Sequence, residues 1–481
     1  MSGGVTSPPP EATGPTRPVL DNHPFDELVV GDTASITRTV GPDDIELFAA
    51  VSGDVNPAHM DPVFAATDPF GHIVAHGMWT AALVSAVLGT QMPGPGTIYL
   101  GQDLRFLRPV TPGDTITATV RVTEKRAEKR IVLLETLCTN QQGEKVLSGT
   151  ATVMAPAAKI SWPRMPVPEV MLRHHERHDR FMRDAATRPP MLVAVVHPCS
   201  AEAIKGALEA RAAGLAEVVL IGPEQKIRAA AEEARLSLDG LRIEAAEHSH
   251  AAAARAVELA SAGKVNALMK GSLHSDELLG AVVAPSSGLR TGRRMSHVYA
   301  LDIPAYPKPL VITDAAINIA PTLEQKMDIC QNAIDLLHIL GVAEPLVAVL
   351  AAVETVNPKM QATLDAAALT VMAARGQIQG AKVDGPLAFD NAVSFDSARI
   401  KHITSPVAGQ ADILVVPDLE SGNMLAKQLL YFAGAVAAGL VLGARVPIIL
   451  TSRADSLGTR LASVALARLV AAARQPGSTP A

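Results

Sequence analysis

The chain has 481 residues, a formal net charge of −6, and 48% hydrophobic, 19% charged and 3% aromatic residues. That length exceeds one ordinary core and predicts about two to four domains. The acidic balance gives no basis for general nucleic-acid binding, which leans on a basic face. Cys138, Cys199 and Cys330 are odd in number and widely spaced, which argues against a disulfide framework and fits a reducing cytoplasm.

The first segment, residues 1–20, is rich in Pro, Gly and Ser ("MSGGVTSPPPEATGPTRP") and reads as a disordered arm, not a signal peptide. Residues 21–157 form the first domain. "PDDIELFAAVSG" opens on a proline and two acids, as helix N-termini do, and puts Ile45, Phe48 and Ala49 on one face. "HGMWTAALVSAVLG" is apolar nearly all round and predicts a buried helix. "TITATVRVTEKR" alternates, with Ile116, Ala118, Val120 and Val122 on one side, and "KVLSGTATVMAP" alternates more weakly. A buried helix followed by antiparallel strands predicts an α+β unit whose sheet wraps the helix.

Residues 158–190 carry prolines at both ends and a charged centre, and read as a linker with a short exposed helix. Within it, "RHHERH" sets His174 and His178 one helical turn apart, but no further ligand stands nearby, so a solvated helix is the reading and no metal site is expected. From Met191 to residue 475, apolar strands such as "MLVAVVHP", "PLVITD" and "ILVVP" alternate with alanine-rich helical segments. That rhythm predicts a two-lobed α/β/α domain with a mostly parallel sheet. A long charge-free apolar run, Gln428 to Ala444, is short for a membrane span and holds three glycines; a buried helix is expected there.

Two groups of residues carry chemistry. "SGDVNPAHMD" brings Asp54, Asn56, Pro57 and His59 together, and Pro57 predicts a loop that turns into a new helix. Such a loop can aim a carboxylate and an imidazole at one water and shuttle its proton. Gly77 begins the buried helix, where free N–H groups favour a developing negative charge. Water activation beside an oxyanion hole suits addition of water to a double bond conjugated to a thioester.

"FAAVSGDVNPAHMDPVFA", "IVAHGM" and "IYLGQDLRFLRPVTPGD" resemble the MaoC-type, R-specific enoyl-CoA hydratases of the hotdog fold, over about Leu28 to Pro156. The resemblance implies that Asp54 and His59 are the catalytic pair, that Gly77 supplies the oxyanion N–H, that Asn56 braces the loop, and that Ser85 helps hold the site's geometry. Trp79 stands where that family commonly has an aliphatic residue, which predicts a shortened acyl pocket.

In the second half, polar or basic residues follow predicted strands, where sites of such folds lie. Lys270, Gly271 and Ser272 follow one strand; Arg290, Arg293 and Arg294 sit among glycines as a phosphate cradle; Ser421, Gly422 and Asn423 start a helix; Ser452 and Arg453 end the last strand. "MKGSLHSDELL", "VITDAAINIAPTLEQKMDI", "ADILVVPDLESGNMLAK" and "PIILTSRADS" resemble the phosphate acetyl/butyryl-transferase family, over about Met191 to Ala473. The resemblance implies acyl exchange between CoA and phosphate without a metal, with Ser452 and Arg453 on the phosphate; Asp455 is the nearest candidate base for the thiol. Thr459 and Leu279 replace an acid and an arginine of acetyl-transferring members, pointing to the butyryl branch or to a silent domain.

The expectation is therefore a cytoplasmic bifunctional acyl-CoA enzyme, dimeric or larger by resemblance. CoA thioesters and phosphate are its substrates; no tightly bound cofactor, nucleic acid or membrane is involved. Two alternatives stay open: a hydratase whose second half only senses acyl-CoA or acyl phosphate, and a scaffold that only binds thioesters.

Overall fold

The computed structural model describes residues 18–168, 170, 172, 176–450 and 455–474, and the chain divides after Leu172 into two units. Ser452, Arg453 and His174 lie outside the described residues.

In the first unit, a five-stranded antiparallel sheet runs in the order Thr33–Thr39, Thr115–Arg126, Ile131–Thr139, Lys145–Met154, Ile98–Phe106. The helix Gly77–Thr90 lies against it. The alternation read from the sequence sets this packing: Ile116, Ala118, Val120 and Val122 are all buried and meet Leu83, Val84, Val87 and Leu88 of the helix. The helix is buried on one side only; Met78 and Ser85 are exposed on the other. The unit also reaches beyond its predicted limits. Val19–Asp21 pairs antiparallel with Ser161–Pro163, so one strand forms where the arm meets the domain and the other within the expected linker.

The second unit holds one sheet of eleven strands. Five parallel strands (Arg242–Ala245, Ala216–Gly222, Met191–Val196, Ala267–Lys270, Ile448–Ile449) make one lobe. Four more (Leu310–Thr313, Ile413–Val415, Leu346–Leu350, Lys382–Leu387) make the other. Val436–Leu442 and Ser296–Asp302, antiparallel to their neighbours, join them. One face of this sheet carries a continuous core in which Val193, Met269, Val311 and Ile413 share the helices Leu323–Ile339 and Leu457–Ala473. The opposite face splits into two separate cores, around Leu268 and around Leu414. The two lobes are thus distinct on one side and fused on the other.

Two expectations are corrected here. The apolar run 428–444 is not one buried helix: the helix Leu419–Tyr431 stops, Gly434 adopts φ +64°, and Val436–Leu442 becomes a central strand. A short apolar run buried on both faces carries no periodicity that separates strand from helix. The linker helix, Glu176–Ala186, is not a free exposed helix either. Its Phe181, Met182 and Ala185 join the core of the second unit, and Arg177 forms a 2.8 Å ion pair with Asp302.

Lys326 and Asp365 form a 2.7 Å ion pair with both side chains under 10% exposed (6% and 7%). Removing one partner leaves a buried uncompensated charge. Lys326→Met is expected to destabilise the second unit by about 3–5 kcal/mol, while Lys326→Met with Asp365→Leu recovers most of the loss, as read from denaturant midpoints of that unit's transition.

Candidate functional sites

The helix Pro42–Ser52 ends at Gly53, whose φ of +76° lets the chain reverse and its N–H bond back to Ala49. Asp54 follows, and its carboxylate accepts the N–H of Asn56 at 3.2 Å. Asn56 then caps the short helix Pro57–Met60, its side-chain oxygen accepting the N–H of Ala58 at 3.1 Å. That cap and Pro57 present His59, whose Nδ1 lies 2.7 Å from the carbonyl of Val74. A carbonyl only accepts, so Nδ1 carries the proton and Nε2 keeps its lone pair.

Gly77 is the first residue of its helix, where N–H groups lack intrahelical partners. A Cβ there would stand 2.9 Å from the Phe106 ring, so only glycine fits without moving that ring. His59 and Gly77 line a pocket of about 310 Å³ with Phe70, Val74, Thr80 and Phe106, and Arg108 adds a positive charge. Asp54 is exposed beside this pocket.

Two expectations change. Ser85 is exposed and is not part of the pocket's lining. Trp79 is buried in the core and is not in the lining either; it packs inward because it occupies the helix face that meets the sheet. His76 is the residue that sequence reasoning passed over. It is 2% exposed, and its Nε2–H donates to the Asp54 carbonyl at 2.9 Å. The only signal for it was its place directly before Gly77. Donor atoms of Asp54, His59 and His76 lie within 4.8 Å of one another.

In the second unit, Gly271 and Ser272 bond through their N–H groups to the carbonyls of Val196 and His197, joining two adjacent strand ends. A Cβ on Gly271 would meet the Val196 oxygen at 2.3 Å, so glycine is required for this approach. The Ser272 hydroxyl is buried with no protein partner among the described residues. The other lobe is organised by Asp314, a residue missed from the sequence although "VITDAAIN" contains it. Its carboxylate accepts four donors: the N–H groups of Ala316, Ile317 and His297, and the amide of Asn318 at 2.6 Å. The loop so fixed carries Ile317 across to the core around Leu273 and Leu278 of the first lobe.

Arg294 and Asn423 converge on that loop, the first donating to Asn318 at 2.8 Å and the second to the Ala315 carbonyl at 3.1 Å. Gly422 packs against it as well, since a Cβ would stand 2.6 Å from the Asp314 carbonyl. Arg293 points elsewhere: it pairs with Asp335 and lines a separate cavity with Met327 and His338. Ser421 starts a helix as expected, but Asp418 already caps that helix, taking both the N–H and the hydroxyl of Ser421. The chain's own carboxylate therefore takes the Ser421 N–H at this helix start, where an anion was expected.

Asp455 lies near Tyr299 on the central strand; burial first, then the charge of Asp455, push the Tyr299 hydroxyl up to about 12. Thr459 is buried and bonds to Ser456, the cap of the last helix.

One unit thus gathers a carboxylate and two imidazoles beside a pocket, and the other sets polar groups at the strand ends of an α/β sheet. The family model described as phosphate acetyl/butaryl transferase matches residues 244–468, and the MaoC like domain matches residues 30–142. A phosphate acetyltransferase of Rhizobium meliloti is 54% identical over 323 residues, covering 67% of this chain and 99% of that protein. A branched-chain phosphotransacylase from Enterococcus faecalis V583 is 30% identical, with a TM-score of 0.52 over 58% of this chain and 99% of its own. The R-hydratase PhaJ1 from Pseudomonas aeruginosa is 44% identical over 32% of this chain and 99% of its own, with a TM-score of 0.31. The chain belongs to the phosphate acetyl/butaryl transferase family and carries a MaoC-like hydratase domain ahead of its transferase domain.

Among the described residues, no helix is long and apolar enough to cross a membrane. His297 is fully buried, which pushes it from its ordinary 6.5 down to about 4 despite the opposing charge of Asp314. Between those values the unfolded chain binds more protons than the folded one. The stability contribution is therefore complete above about pH 6.5 and is lost as pH falls through 4. His297→Gln is expected to flatten the pH dependence of the second unit's melting temperature over that window.

Proposed function

We propose that the chain is a bifunctional acyl-CoA enzyme. The first unit hydrates a trans-2-enoyl-CoA to the 3R-hydroxyacyl-CoA. The observation that carries this reading is the tautomer of His59, whose anchored Nδ1–H leaves Nε2 as a base beside Asp54. A water held by Asp54 and His59 gives its proton to His59 as its oxygen bonds to C3 of the enoyl chain. The electron pair of the double bond moves toward the thioester oxygen, where the Gly77 N–H receives the charge. The proton held on His59 is then passed to C2, which completes the addition and returns the imidazole to its neutral form. Arg108 at the pocket suits the phosphates of CoA.

The second unit moves a short acyl group between CoA and inorganic phosphate. The names of its relatives support this reading, together with the loops gathered around Asp314 and Ser272. Ser452 and Arg453 remain the residues assigned to the phosphate, and Asp455 the base for the thiol. Neither reaction calls for a tightly bound metal or cofactor, and the cytoplasm supplies both substrates.

A homodimer or larger assembly is part of this proposal. Ile98–Phe106 is, among the described residues, one of the two edge strands of the first unit's sheet and leaves Ile98, Tyr99, Leu100 and Phe106 exposed. Unprotected apolar edges invite pairing with a second copy.

Asp54→Asn and His59→Gln are each expected to lower kcat for crotonyl-CoA hydration by about 100- to 10,000-fold, without changing acyl exchange. Unchanged hydration in both variants would remove the hydratase reading. Acyl-CoA formation from acetyl or butyryl phosphate and CoA is expected for the intact chain and lost in Arg453→Ala. Absence of product from either acyl phosphate would leave the second unit as a binding domain.

A further inference from the structure

We infer that His76 is a positioning residue of the hydratase site, which holds Asp54 and His59 in register and disperses the charge on His59 while it carries the proton. The inference rests on the hydratase reading above for its catalytic part. Its geometric part stands alone.

His76 touches every element that the addition needs. Its Nε2–H donates to the Asp54 carbonyl at 2.9 Å, tying the loop of residues 53–56 to the start of the helix Gly77–Thr90. Its ring lies 4.0 Å, centroid to centroid, from that of His59, at an interplanar angle of 37°. The Phe48 ring packs on it at 5.0 Å, so the preceding helix Pro42–Ser52 also fixes its place. It is the residue directly before Gly77, so any rotation of its backbone would re-aim the N–H proposed for the oxyanion.

The hydrogen bond to Asp54 also fixes which nitrogen of the neutral ring carries the proton. With Nε2 donating, the ring keeps its lone pair on Nδ1, which is buried and has no protein partner among the described residues. The ring offers the imidazolium formed on His59 a polarisable aromatic neighbour.

The two roles separate in substitution. His76→Gln keeps an N–H donor for the Asp54 carbonyl and loses the ring; His76→Phe keeps the ring and loses the donor. Both are to be made in the full chain, with the thermal transition of the first unit confirming that it folds. For crotonyl-CoA hydration we expect kcat to fall by about 10- to 100-fold in each, further in His76→Ala, with KM within about threefold of the parent as a rough bound for intact substrate binding. Imidazole nitrogen spectra are expected to show His59 in the Nδ1–H form in the parent and in His76→Phe alike, because the Val74 carbonyl holds that proton, while a crystal structure of His76→Phe is expected to show the Asp54 loop displaced from His59. Folded Gln and Phe variants with kcat within about twofold of the parent would overturn the inference, as would a loss confined to KM. If the parent chain itself does not hydrate crotonyl-CoA, the hydratase reading fails, and an undisplaced Asp54 loop in His76→Phe would separately refute the positioning role.

Discussion

The hydrogen bond from His59 to the carbonyl of Val74 is the constraint on which the first site depends. At 2.7 Å it decides which nitrogen of the neutral ring carries the proton and leaves the lone pair on Nε2. The local sequence around it serves that bond. Gly53 reverses the chain with a positive φ, Asn56 caps the next turn, and Pro57 starts it, so the imidazole arrives with one orientation. Val74 lies fifteen positions further along the chain and is itself buried, which makes the acceptor as fixed as the donor.

Asp314 has the corresponding place in the second unit. A buried carboxylate is tolerated only when its oxygens are fully used, and here they take four donors from the strand Ser296–Asp302 and from their own loop. The loop so held is the surface on which Arg294, Gly422 and Asn423 assemble. Its half-buried Ile317 packs against the core of the opposite lobe, so one charged residue links the geometry of both sets of strand ends. The continuous core on the other sheet face keeps the lobes from separating there.

The two units solve the same problem at different depths. Both handle thioesters in the proposed function, and both rely on a glycine that admits no Cβ: Gly77 against the Phe106 ring, Gly271 against the Val196 carbonyl. In the first unit the pocket is walled by apolar side chains, which suits an acyl chain. In the second the groups sit on loops between lobes, which suits a larger polar substrate.

Much of this was legible in the chain itself. Alternation fixed the face of the strand Thr115–Arg126, strands separated by helical segments announced the parallel sheet, and "SGDVNPAHMD" announced an acid, an amide and an imidazole on one turn. These signals are local, and local geometry follows from side-chain size, backbone preference and spacing. His76 was not legible, because its importance comes from a carbonyl twenty-two residues away and from a ring across the loop. Asp314 was hidden for the same reason, and the helix start at Ser421 misled because its anion is the neighbouring Asp418. The run 428–444 was ambiguous because burial on both faces erases periodicity. Sequence determined which residue types stand at each turn and strand end; only the tertiary structure decided which of them meet, since hydrogen-bond partners and buried charges are settled by long-range packing.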